Sequence, residues 1–75
     1  MTAVIALYTR VQLATSRYEK DGAIEGMLGY IIESHPGDMY EIEFSDRTTG
    51  ATVALIVAHE SELVPKPEKG ALPIE

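Results

Sequence analysis

The run Met39-Tyr40-Glu41-Ile42-Glu43-Phe44-Ser45 constrains this chain more than any other segment. Tyr40, Ile42 and Phe44 fall on one side of an extended backbone while Glu41 and Glu43 fall on the other, so the hydrophobic period is two and the segment is a half-buried strand. Upstream, Leu28-Gly29-Tyr30-Ile31-Ile32-Glu33-Ser34 is β-branched and aromatic, and Ser34-His35-Pro36-Gly37-Asp38 supplies the proline and glycine of a hairpin loop. These two segments are expected to pair antiparallel. Downstream, Asp46-Arg47-Thr48-Thr49-Gly50 is a second turn, and Ala51 to Ala58 reads as the third strand of a meander. Its core side is expected to be Val53, Leu55 and Val57, with Ile56 partly exposed or covered by a terminus.

Tyr8 to Leu13 alternates well enough to be a first strand, with Val11 and Leu13 inward. Ala14 to Gly26 has no period and reads as a long excursion loop. His59-Glu60-Ser61-Glu62 resembles one helical turn, followed by a short last strand, Leu63-Val64, that Pro65 ends. The predicted core is Val11, Leu13, Leu28, Ile31, Tyr40, Ile42, Phe44, Val53, Leu55, Val57 and Leu63.

That order of elements is all-β and resembles a small, five-stranded, partly open SH3-like barrel with a short helical turn before the last strand. Arg10-Val11-Gln12-Leu13, the run Glu25 to Glu33, Tyr40-Glu41-Ile42-Glu43-Phe44, and Ala54-Leu55-Ile56-Val57 with the closing Glu62-Leu63 look like the bacterial domain of unknown function 4926. That family shows a glycine-x-x-glycine turn into a valine-rich strand, a tyrosine-x-valine-glutamate-phenylalanine strand, and a leucine after a helical turn. The resemblance spans about Tyr8 to Pro65. Its motifs are structural, so it implies a fold and leaves the activity open. Independently of the family, glycines at 26 and 29 let a strand turn sharply and pass close to a neighbour. Residues 1–65 are read as the barrel and 66–75, with two of the four prolines, as an extended tail.

Composition narrows the function classes. Seventy-five residues allow one small core, and scaling rules bury only about 60% of the surface of such a chain. There is no cysteine, so neither a disulfide nor a thiolate-bound zinc can reinforce it. Twelve acidic against six basic residues give a net charge of −6, which disfavours direct nucleic-acid binding. The apolar start, Met1 to Tyr8, lacks a preceding basic region and is interrupted by Arg10. It fits neither a secretory signal nor a membrane span, and a cytoplasmic location is expected.

Catalytic and cofactor chemistry is not signalled. His35 and His59 sit beside carboxylates in a loop and a turn, and their spacing from Asp38, Glu60 and Glu62 does not require a metal. Neither a nucleophile elbow around a serine nor a phosphate loop occurs. Glu41 and Glu43, roughly 7 Å apart by strand rise, should stand on an open, wet surface. No enzyme, cofactor or metal is therefore expected, and surface recognition remains. Tyr18, Glu19, Asp21 and Glu25 in the long loop, together with Glu41 and Glu43, are the candidate partner-binding residues.

The expected function is a non-catalytic, acidic, protein-binding module whose partner has a basic surface, of the accessory or immunity/antitoxin type. The alternatives are a barrel associated with nucleic acid, a ribosome or a polymerase, and a homodimeric structural protein.

Overall fold

A computed structural model describes residues 5–67. Five strands form one antiparallel sheet: β1 (Arg10–Leu13), β2 (Leu28–His35), β3 (Met39–Ser45), β4 (Thr52–His59) and β5 (Leu63–Pro65). Their order is β4-β3-β2-β1-β5, so the sheet is not closed and β4 and β5 are its edges. The only helical pieces among the described residues are two 3-10 turns, Glu19–Asp21 in the long loop and Glu60–Glu62 just ahead of β5. None of the described helices is long and apolar enough to cross a membrane. The all-β, five-stranded architecture and the helical turn before the last strand agree with the sequence reading.

Local chemistry explains the joints. Between β2 and β3, Gly37 and Asp38 take positive φ, 77° and 60°, which glycine and aspartate tolerate better than branched residues do. The turn before β5 is held by a capping box: the Ser61 N–H donates to the His59 ring, and the His59 N–H donates to the Glu62 carboxylate. Past β5, the Lys66 N–H donates to the Arg10 carbonyl at 2.8 Å, so sheet pairing runs one residue beyond the strand. The remainder of the predicted tail, from residue 68, lies outside the described residues.

One face of the sheet is the core. Val11, Leu13, Ile31, Tyr40, Ile42, Phe44 and Leu63 are buried there as predicted, and Ala23 of the long loop closes over them. β4, however, presents the opposite side from the one expected. Ala54, Ile56 and Ala58 are buried, whereas Val53, Leu55 and Val57 are 47%, 53% and 43% exposed. Register gives the reason. Residues directly opposite one another share a face, and β3 pairs Tyr40 with Ala58, Ile42 with Ile56 and Phe44 with Ala54. Two alanines leave room for two aromatic rings, which the larger valines would fill.

Leu28 is likewise exposed rather than core. It stands opposite Gln12, while its neighbour Gly29 stands opposite Val11 and is buried. A β-bulge between Ile31 and Glu33 then shifts the β2 register. Without that extra residue Glu33 would fall opposite Tyr40, on the core face; with it, Glu33 falls opposite Glu41 and points outward.

Candidate functional site

The outer face of the sheet, turned away from the core, gathers most of the chain's recognisable surface chemistry. Strand alternation puts Glu41 and Glu43 there from β3, Tyr30 from β2, Arg10 from β1 and Leu55 and Val57 from β4. The register makes continuous rows. Leu55 lies beside Glu43, Glu43 beside Tyr30, and Tyr30 beside Arg10; Val57 lies beside Glu41, and Glu41 beside Glu33.

Three zones follow. Along edge strand β4 run the exposed aliphatic side chains of Leu55 and Val57, with Val53 exposed at the bulge between Thr52 and Ala54. Next to it, Glu41 and Glu43 are half-buried; the Thr52 hydroxyl donates to Glu43, which fixes that carboxylate against β4. Toward the β2–β3 hairpin, His35 Nε2 lies 3.2 Å from Glu41 Oε1, and Glu33, His35 and Glu41 bring one ligand atom each within 4.8 Å of one another. Imidazole and carboxylates in that spacing are residue types a zinc-class cation accepts, so these three are the described residues that could hold one. Toward the other end of β3, a cleft of about 490 Å³ opens between β1, β2 and the turn that follows β3, with Arg10, Tyr30 and Arg47 among its lining residues.

The six residues singled out from the sequence divide into two groups. Glu41 and Glu43 are on this outer face. Tyr18, Glu19, Asp21 and Glu25 belong to the long loop, whose Ala23, Tyr18 and Met27 pack onto the core side of the sheet. The two groups thus stand on different elements, with the 3-10 turn Glu19–Asp21 packed against β4.

Tyr18 is tied inward. Its hydroxyl donates to Glu62 Oε1 at 2.8 Å, its ring packs on the core, and the Arg17 guanidinium lies 5.3 Å over the ring. Burial first, and then the Glu62 carboxylate, raise its pKa. Burial alone would raise the pKa of Glu62 as well. The His59 N–H, the Tyr18 hydroxyl and the Arg17 guanidinium, at 2.6 Å, all donate to that carboxylate and bring its pKa below the usual value. The ring at Tyr18 thus latches the long loop to the turn before β5. Glu19, Asp21 and Glu25 are exposed on that loop. His59 is likewise occupied, in the capping box with Ser61 and Glu62.

Sequence reasoning missed the aliphatic row of β4 and the arginine cleft. The first was visible as a second apolar phase in Val53, Leu55 and Val57. The second had no local signal, because Arg10, Tyr30 and Arg47 meet only through strand register. Comparison with protein-family models, with curated proteins and with solved structures finds no match to this chain.

Proposed function

We propose that this chain is a non-catalytic protein-binding module whose outer sheet face receives a partner with a basic surface. The observation that carries the reading is the aliphatic pair Leu55 and Val57, left 53% and 43% exposed on edge strand β4 directly beside Glu43 and Glu41, with exposed Val53 at the adjoining bulge. Contiguous apolar surface bordered by charge is the anatomy of a recognition site, with apolar burial supplying affinity and the carboxylates selecting a cationic partner. As an edge, β4 also offers backbone groups to an added strand beyond Val53, against whose carbonyl Gly22 of the long loop lies. A lysine or arginine on such a strand would extend across Leu55 or Val57 toward Glu43 or Glu41. The overall charge of −6 steers the same class of partner. The narrower form of the proposal is an accessory or immunity-type partner of a neighbouring gene's product, in the cytoplasm.

Co-expression with the product of the adjacent gene tests it. A stoichiometric complex is expected on size-exclusion chromatography with light scattering, weakened about tenfold or more by Leu55→Asn and by Glu43→Lys. No complex would sink the accessory role. A complex that both substitutions leave intact would remove the outer face from it.

A further inference from the structure

The cleft at the far end of the outer face has a charge opposite to that of the protein as a whole. Two of the chain's six basic residues, Arg10 and Arg47, line it, and neither takes part in an ion pair among the described residues. Asp46 lines it too, but its carboxylate is engaged by its own turn. The Thr49 and Thr48 N–H groups donate to Asp46 Oδ1 at 2.9 and 2.7 Å and hold its pKa below the usual aspartate value, so it stays ionised and the charged residues lining the cleft, Arg10, Arg47 and Asp46, sum to +1. Arg10 is anchored without being neutralised. Its Nε donates to the Lys66 carbonyl at 2.8 Å, which orients the guanidinium and leaves its terminal N–H groups to donate elsewhere.

The walls are apolar. Leu28 and Tyr30 are 39% and 37% exposed there. Arg10 and Tyr30 are direct cross-strand partners, which sets their Cβ atoms about 5 Å apart on the same face. A volume of about 490 Å³ suits a small organic molecule.

We propose that this cleft binds a small organic anion, a carboxylate or phosphate carried on a flat apolar group. The oxyanion sits at Arg10 and Arg47, whose planar forks match two oxygens at once. The apolar body lies on Tyr30 and Leu28. The site is separate from the aliphatic row of β4, so it stands or falls independently of the partner-binding reading.

Amide-resolved NMR titration of the ¹⁵N-labelled full chain at low ionic strength tests it, with phenyl phosphate, phenylacetate, inorganic phosphate and benzyl alcohol as probes. At least one of the two aryl anions is expected to give saturable shifts confined to residues 26–30 and 45–47 and to Arg10. The stronger of the two identifies the oxyanion. Inorganic phosphate and benzyl alcohol should each bind about tenfold more weakly, and Arg47→Gln should weaken the aryl anion about tenfold. Lys20→Gln removes the same charge from the exposed turn in the long loop and should leave affinity unchanged. Because Arg47 is exposed in a turn and Arg10 supports the fold through Lys66, Arg47 is the decisive position. Absence of saturable shifts with both aryl anions overturns the proposal, as do shifts centred elsewhere. Undiminished affinity in Arg47→Gln, or inorganic phosphate binding as tightly as the aryl anions, does so equally.

Discussion

Truncating Ile56 and Leu55 one at a time measures which side of β4 faces the core. Ile56 is 5% exposed and sits opposite Ile42 in the middle of the sheet, whereas Leu55 is 53% exposed and sits opposite Glu43. Each change to alanine deletes three carbons. At about 0.8 kcal/mol per buried methylene, Ile56→Ala loses about 2.4 kcal/mol of transfer energy, and the cavity it leaves takes the cost into the range of about 3–5 kcal/mol. With half of its side chain already in water, Leu55→Ala loses about 1 kcal/mol. A domain of this length has about 4–11 kcal/mol of total stability, so the first change approaches unfolding and the second does not. Urea unfolding followed by far-ultraviolet circular dichroism reads both. With a slope of about 1 kcal/mol per molar, Ile56→Ala should move the midpoint by about 3 M or more and Leu55→Ala by about 1 M, at unchanged slope. Equal shifts, or a larger one for Leu55, would refute the register assigned to β4.

Two further positions test the sheet and its fastening. A Cβ at Gly29 would lie 2.7 Å from Phe44 Cδ1 and 2.8 Å from the Glu43 carbonyl oxygen, and a carbonyl in a paired strand cannot move aside cheaply. Gly29→Ala should therefore cost about 1–3 kcal/mol and lower Tm by about 4–8 °C for each of them; a Tm within about one degree of the parent would show that β2 and β3 are not packed so closely. Glu62 has its pKa lowered in the folded chain, so its contribution is complete above the usual glutamate value of 4.5 and is lost as pH falls through the lower folded value. Glu62→Gln should reduce stability at neutral pH by about 1–3 kcal/mol and flatten the fall of Tm between about pH 5 and 3; an acid limb as steep as the parent's would assign the loss to other carboxylates.

The limits of the sequence reading are physical. β3 was legible because its two phases differ in polarity: Tyr40, Ile42 and Phe44 against Glu41 and Glu43. In β4 both phases are apolar, and ranking by size favours Val53, Leu55 and Val57 over Ala54, Ile56 and Ala58. Only the partner strand decides, through the volume that Tyr40 and Phe44 already occupy. The bulge that turns Glu33 outward is equally silent in a single strand, since it is a property of a pair. For the candidate site, Glu41 and Glu43 could be placed on an open face by alternation. Tyr18 could not be placed, because its hydroxyl partner, Glu62, is 44 residues away in the chain. The arginine cleft is non-local in the same way.

The strand order also fixes the sequence of events by which the sheet can assemble. β2, β3 and β4 are neighbours in the chain as well as in space, and their hairpins close over short loops. The β1–β5 ladder instead joins Leu13 to Leu63 and Val11 to Pro65, about fifty residues apart. Closing a loop that long costs about 1.4 kcal/mol more entropy than closing one of about ten residues, and a ladder of three residue pairs, extended by the Lys66–Arg10 hydrogen bond, repays it. The meander therefore nucleates, and the docking of β5 onto β1 is the last and most reversible step. Spontaneous opening should begin at that edge, with Leu63, Val64 and Lys66 exchanging their amide protons long before Ile42 does.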